Sequence, residues 1–239
     1  MSQLDGKTIR KANTQTLRRR LPCRAGATVQ RFSMDLNEIE HLAEATLSLA
    51  NCSTSLPPVA LAKRLNLSVY TVPGMRPRGW LAEVDGAPTI AIRASLKGCE
   101  RAFTVAHELG HWAVQRFGVK PDSREDEERL CNAFAACVLM PRRAFAGALT
   151  ELEFHHVRNL CLGELSAKFS VTEAGIALRV GELTGLALAV VTPAHVYARG
   201  SWQCPDEQTV RQWSRTGRPG FKRAKLGDSR AVLLVASAA

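Results

Sequence analysis

The chain has 239 residues, enough to bury a substantial core in one or two compact domains, and shows no internal repeat. Its net charge of +10 is uneven: residues 1–34 carry eight Lys or Arg against one acid, residues 35–164 fourteen against sixteen, and residues 165–239 ten against five. No apolar run reaches the length of a bilayer span and no charged-then-apolar leader marks secretion, so a soluble, cytoplasmic protein is expected, with its basic character outside the central region.

Residues 1–34 include Arg18-Arg19-Arg20 and little apolar periodicity, which predicts a flexible arm. It reads as a leader ahead of a translation start at Met34, as a nucleic-acid arm, or, last in rank, as an Arg-rich transit peptide. Asp35 to Asn51 has the 3.6-residue period of an amphipathic helix, burying Leu36, Ile39, Leu42, Ala43, Thr46, Leu47 and Ala50. Pro57-Pro58 precedes a second, short helix. Leu67 to Val72, Gly79 to Val84 and Thr89 to Arg93 read as short strands, the last two joined by a turn at Asp85-Gly86-Ala87-Pro88.

Directly after this small sheet comes His107-Glu108-Leu109-Gly110-His111. Imidazoles spaced i, i+4 on a helix face one way and can clasp one divalent cation, and Glu108 beside them is placed to take a proton from a water, as metal-assisted hydrolysis requires. Ala102, Val105, Ala106, Leu109, Ala113 and Val114 give the same segment an apolar stripe, so the helix should be partly buried with polar groups turned inward. A catalytic zinc site takes a third protein ligand. The acidic run Glu125-Asp126-Glu127-Glu128 opens another helix, ended by Pro141, and Glu128, Asn132, Ala135 and Ala136 share one face of it. That face suits a ligand at Glu128, while Glu125, Asp126 and Glu127 read as solvated charges at a helix N-terminus.

These residues resemble the ImmA/IrrE metallopeptidases. Phe103-Thr104-Val105-Ala106-His107-Glu108-Leu109-Gly110-His111-Trp112 is similar to the family's FTxAHELGH segment, and Asn132-Ala133-Phe134-Ala135-Ala136-Cys137-Val138-Leu139-Met140-Pro141 to its N-x-F-A-A-x-L-L-M-P. The family's ligand glutamate stands four residues before that Asn, which here is Glu128; Leu130-Cys131 replaces the usual Glu-Ala. With the preceding strands the resemblance covers roughly residues 35–186. It implies an α+β zincin-like fold, with Zn (or Mn) on His107, His111 and Glu128 and Glu108 as general base. It also implies a protein substrate, a helix-turn-helix repressor cleaved to relieve repression in a stress, phage or mobile-element response. Such peptidases place an edge strand beside the cleft for an extended substrate, and Thr89 to Arg93 is the expected edge.

Leu165 to Val180 is similar to a further family segment and fits two short helices meeting at a turn, with Thr172 as N-cap and Ala174, Ala177, Leu178 and Gly181 as the apolar face. No Arg or Asn cluster marks a base-reading helix, so packing is preferred over DNA entry. Beyond Gly185, Leu186 to Thr192 and Ala231 to Ala236 read as strands flanking a loop-rich basic segment. There Arg211, Arg215, Arg218, Lys222, Arg223 and Lys225 surround Trp202, Trp213 and Phe221, suited either to phosphates and stacked bases or to a solvated surface over a small aromatic core. Seven cysteines without a CxxC pair fit reduced thiols. The expected organisation is an arm (1–34), a metallopeptidase domain (35–157), a helix-turn-helix-like unit (158–185) and a basic C-terminal β region (186–239). His155, His156, His195, Tyr70 and Tyr197 are chemically suited to stabilise an oxyanion, and none is assigned. Two other readings are a non-hydrolytic DNA- or partner-binding regulator with a structural metal, and a toxin- or antitoxin-linked module.

Overall fold

The computed structural model describes residues 35–52, 56–151, 162–199, 206–226 and 232–236. The basic arm, His155, His156, Trp202 and the expected boundary at 157/158 lie outside the described residues. Internal contacts divide the described chain into one unit running to Pro141 and a second from Arg142 onward.

In the first unit, helix α1 (Leu36–Leu49) starts where the Asp35 carboxylate accepts the Asn37 N–H at 3.0 Å, and it buries Ile39, Leu42, Ala43, Thr46 and Leu47 as its period predicts. Helix α2 (Pro58–Arg64) begins on Pro58, whose missing N–H costs nothing in a first turn. Strands β1 (Ser68–Val72), β2 (Gly79–Val84) and β3 (Ala87–Arg93) follow in the spatial order β1-β3-β2. Val84 pairs with Ala87, and Asp85 and Gly86 between them both have positive φ, 52° and 76°. The hairpin therefore turns on two residues rather than four, as the twist of a tight Asp-Gly turn favours.

Strand β3 is the middle of the sheet, parallel to β1 and antiparallel to β2. This corrects the expectation that Thr89 to Arg93 forms the substrate edge. Ile90, Ala91 and Ile92 are fully buried, and an apolar run with both sides paired belongs at a sheet's centre. The edge strands are β1 and β2.

Helix α3 (Gly98–Arg116) lies on the sheet and against helix α4 (Arg124–Leu139), which also packs on α1. Gly110 allows this: a Cβ there would stand 3.0 Å from the Cys131 Cα. Leu130 and Cys131, the two departures from the family pattern, are wholly buried at this contact and join Ile39, Leu61, Ile92, Leu109 and Phe134 in one core. Each such large side chain contributes about 1.5–3 kcal/mol relative to exposure.

The second unit contains α5 (Arg142–Glu151), α6 (Leu162–Phe169), α7 (Glu173–Thr184) and α8 (Glu207–Thr216). Its antiparallel sheet orders β5 (Val196–Arg199), β4 (Leu188–Val191), β7 (Val232–Ala236) and β6 (Phe221–Lys225). Thr172 caps α7 by accepting the Gly175 N–H, and Gly185 ends it at φ 69°. The buried side of α7 is Ile176, Ala177, Arg179, Val180 and Gly181, rotated from the expected face, on which Ala174 and Leu178 are only half-buried. A Cβ on Gly181 would meet Leu188 and Arg199, so α7 presses onto β4 and β5. Five of the eleven residues from Glu173 to Leu183 are buried and the other six partly so, which accords with a helix used in packing. Helix α8, β5 and β6 occupy what the sequence reads as loop. Among the described residues no helix is long and apolar enough to cross a membrane.

Candidate metal centre

The i, i+4 spacing on α3 sets the His107 and His111 rings 5.0 Å apart, edge to face, at the floor of a cleft of about 1130 Å³. From α4, the Glu128 carboxylate reaches both: Oε2 is 3.3 Å from His107 Nε2 and Oε1 3.9 Å from His111 Nε2. One donor atom from each of the three residues lies within 4.8 Å of the others, which makes this the one group among the described residues with ligand atoms converging in this way.

The opposite ring nitrogens are also held. His107 Nδ1 lies 3.1 Å from Asn132 Oδ1, and His111 Nδ1 lies 2.8 Å from Glu127 Oε1. Both partners are oxygens that accept, so each Nδ1–H donates and Nε2 is the nitrogen left facing Glu128: it donates to that carboxylate when the ring is protonated and offers its lone pair to a cation when the ring is neutral. This arrangement fits a divalent cation: two neutral imidazole nitrogens and one carboxylate are the donor set of a catalytic zinc site, and their tautomers are set by outer hydrogen bonds.

The role of Glu127 differs from the sequence reading, which placed it among solvated charges. The acidic run divides its work. Arg129 pairs with Glu125 at 2.8 Å and Asp126 at 3.4 Å, Ser123 caps the helix through the Asp126 N–H, Glu127 orients His111, and Glu128 faces the cleft. The missed signal was periodic: Glu127 stands on the turn adjoining Glu128 and sixteen residues after His111, and only the packing of α4 on α3 joins those positions.

Glu108 lies beneath the histidines and is 7% exposed. Strand β2 passes so close that a Cβ on Gly79 would stand 2.4 Å from Glu108 Oε1, and the Leu81 backbone hydrogen bonds its carboxylate. Burial raises the Glu108 pKa above the ordinary carboxylate value, against the opposing pull of His107 and His111. Burial lowers the His107 pKa, but the Glu128 hydrogen bond and the Glu108 and Glu128 charges outweigh it, so the net shift is upward. Glu128 is lowered, chiefly by its hydrogen bond to His107. The Cys131 thiol is driven far upward by burial and acidic neighbours, and is chemically inert.

The cleft is walled by β2 through Arg78 to Leu81, by Phe103 and Gln115 of α3, and by residues 121–124 leading into α4. Arg78 is paired with Glu100. Of the residues considered for an oxyanion, Tyr70 is not among the cleft lining, and His195 and Tyr197 stack on each other in the second unit at 5.9 Å.

Residues 62–180 match the family described as Peptidase_M78, IrrE N-terminal-like domain, a stretch that contains the whole site. No curated protein sequence matches the chain. Among solved structures, a transcriptional regulator of Mycobacterium tuberculosis is similar in fold, with a TM-score of 0.58 at 14% identity over 83% of this chain and 74% of that one.

Proposed function

We propose that this chain, which belongs to the M78 peptidase family through its IrrE N-terminal-like domain, is a zinc-dependent endopeptidase acting on a helix-turn-helix repressor. The observation that carries the proposal is the convergence of His107 Nε2, His111 Nε2 and a Glu128 oxygen beside the buried Glu108. When bound there, a divalent cation supplies Lewis acidity toward water and a peptide carbonyl. Zinc suits a mixed set of two imidazoles and one carboxylate, with Mn the other candidate.

The protein's own groups divide the remaining work. Glu108 accepts the proton of the attacking water at its carboxylate and later returns it to the departing amine; burial makes it a stronger proton acceptor than an exposed glutamate. His107 and His111 are held in one tautomer by Asn132 and Glu127, so little reorganisation is needed before reaction.

The substrate runs along β2. Arg78 O accepts the Arg93 N–H at 2.9 Å, so alternation turns the backbone groups of Gly79, Leu81 and Glu83 away from β3; the Leu81 N–H is taken by Glu108, and those of Gly79 and Glu83 face the free edge. That edge lines the cleft next to Glu108 and offers main-chain pairing to an extended segment, with Trp80 and Phe103 as apolar walls. The reading as a regulator with a structural metal is less well supported, because such a site has no use for a buried carboxylate beside its ligands.

The test is to incubate the wild type and Glu108→Gln with co-expressed candidate helix-turn-helix repressors, with and without chelator. Chelator-sensitive appearance of a shorter repressor fragment with the wild type alone is expected. Equal cleavage by both proteins overturns the proposal.

A further inference from the structure

A second chemical surface lies in the C-terminal unit, formed by α8, the turn after it and β6. Between Gln208 and Leu226 the chain carries six Lys or Arg and no acid. Arg211 is consumed locally: it pairs with Glu207 at 2.6 Å and donates to the Thr192 carbonyl at 2.7 Å. The other five, Arg215, Arg218, Lys222, Arg223 and Lys225, are all exposed.

Contacts of Arg223 and Arg218, together with the spacing along β6, bring these cations near one another. Arg223 Nη1 donates to the Ser214 and Arg215 carbonyls at 3.2 and 2.6 Å, tying β6 to the C-terminal end of α8. Gly217 and Gly220, both at φ 79°, bend the turn that carries Arg218, and the Arg218 guanidinium rests 3.8 Å over the Trp213 ring. Along β6, Arg223 and Lys225 share one face about 7 Å apart, with Lys222 on the other.

We infer that this surface binds the phosphate backbone of duplex DNA without regard to sequence. Like charges crowded along the open edge that β6 forms, with Arg223 and Lys225 on one side of the strand and Lys222 on the other, oppose one another, and within this stretch nothing acidic relieves them; a polyanion lying along that edge does. A charged edge strand also resists pairing with other chains, which accounts for Lys222, Arg223 and Lys225 but not for Arg215 on the helix or Arg218 on the turn. The aromatic residues direct the choice of polyanion. Trp213 and Phe221 are partly buried and pack against the cluster of Val210 and Leu234, with their rings 5.8 Å apart and the Arg218 guanidinium over both. Both rings are engaged by packing and by Arg218, which favours recognition by charge over stacking of unpaired bases. The inference is independent of the peptidase reading.

The experiment measures binding of the full chain to a short fluorescent duplex of arbitrary sequence by anisotropy across a salt series, with chelator present throughout. Five phosphate contacts give a log–log salt slope of about −4.5, so affinity should fall about 500-fold between about 50 and about 200 mM salt. Lys222→Gln/Lys225→Gln should reduce that fall to about 40-fold by removing two contacts, while Lys63→Gln/Lys97→Gln, exposed lysines of the first unit, should leave it unchanged. The inference is overturned by an absence of binding at the lowest salt, by equal slopes in the wild type and the Lys222/Lys225 variant, or by equal losses in both double variants. Tighter binding of a polyglutamate chain than of the duplex also overturns it, assigning the surface to an acidic polypeptide.

Discussion

Gly79 and Glu108 occupy the same space to within a methyl group: a side chain at position 79 would begin 2.4 Å from Glu108 Oε1 and 2.7 Å from Thr104 Cγ2. The absence of a side chain is what lets the edge of the sheet lie on the helix that carries the general base. Gly79→Ala should displace Glu108, lowering stability by about 1–3 kcal/mol through overpacking and reducing cleavage more than metal content. Chemical denaturation, elemental analysis and the repressor assay on one preparation check this; full activity with unchanged stability would contradict the assigned contact.

Glu108→Gln keeps the shape of the side chain and removes its proton acceptor. Cleavage should fall by roughly a hundredfold to ten-thousandfold with metal content unchanged. Stability carries a second signature. The folded pKa of Glu108 is raised by burial above its ordinary 4.5, so the contribution it makes to stability is complete below that value and is lost as pH rises through the higher folded value. Metal-free Glu108→Gln should therefore gain on the metal-free wild type as pH rises across this window, and denaturation midpoints at several pH values measure the difference.

Glu127 and Glu128 are neighbours with separable roles. Glu128→Ala removes a donor and should abolish stoichiometric metal, whereas Glu127→Gln leaves the three donors in place and should weaken binding by about 10- to 100-fold. Titration of the metal-free protein with zinc in a competing chelator distinguishes the two. Because His107 holds its proton above the ordinary 6.5 in the metal-free protein, wild-type affinity should decline as pH is lowered through a value above 6.5.

Gly110 governs the distance between the helices that carry the ligands. A Cβ there meets backbone, the Cys131 Cα at 3.0 Å, and backbone cannot turn aside as a side-chain tip can. Gly110→Ala should cost about 1–3 kcal/mol and weaken metal binding, since Glu128 moves with α4 while the histidines stay on α3. A thermal melt with and without zinc reads both effects.

Much of this centre is written in local spacing. His107 and His111 share a face because a helix turns in 3.6 residues, Glu108 is beside them by adjacency, and Glu128 stands four residues before Asn132 on a helix whose acidic start and stop at Pro141 are legible. The elements of the first unit follow from the same periodicities, and the Asp85-Gly86 turn from the backbone freedom of its residues.

What the sequence did not determine lies between elements. Which acid of the run 125–128 faces which histidine depends on how α4 rotates against α3, and that rotation is set by Gly110 meeting Cys131. Strand order is equally non-local: β3 reads as a plausible edge until β1 pairs with it from the other side, so the edge beside Glu108 proves to be β2. In the C-terminal unit, β6 has four of five positions exposed and three of them charged, and α8 buries only Val210, so neither carries the apolar period that marks an element. Their order comes from pairing with β7 and from Arg223 reaching the end of α8, contacts between residues that no short window of sequence brings together.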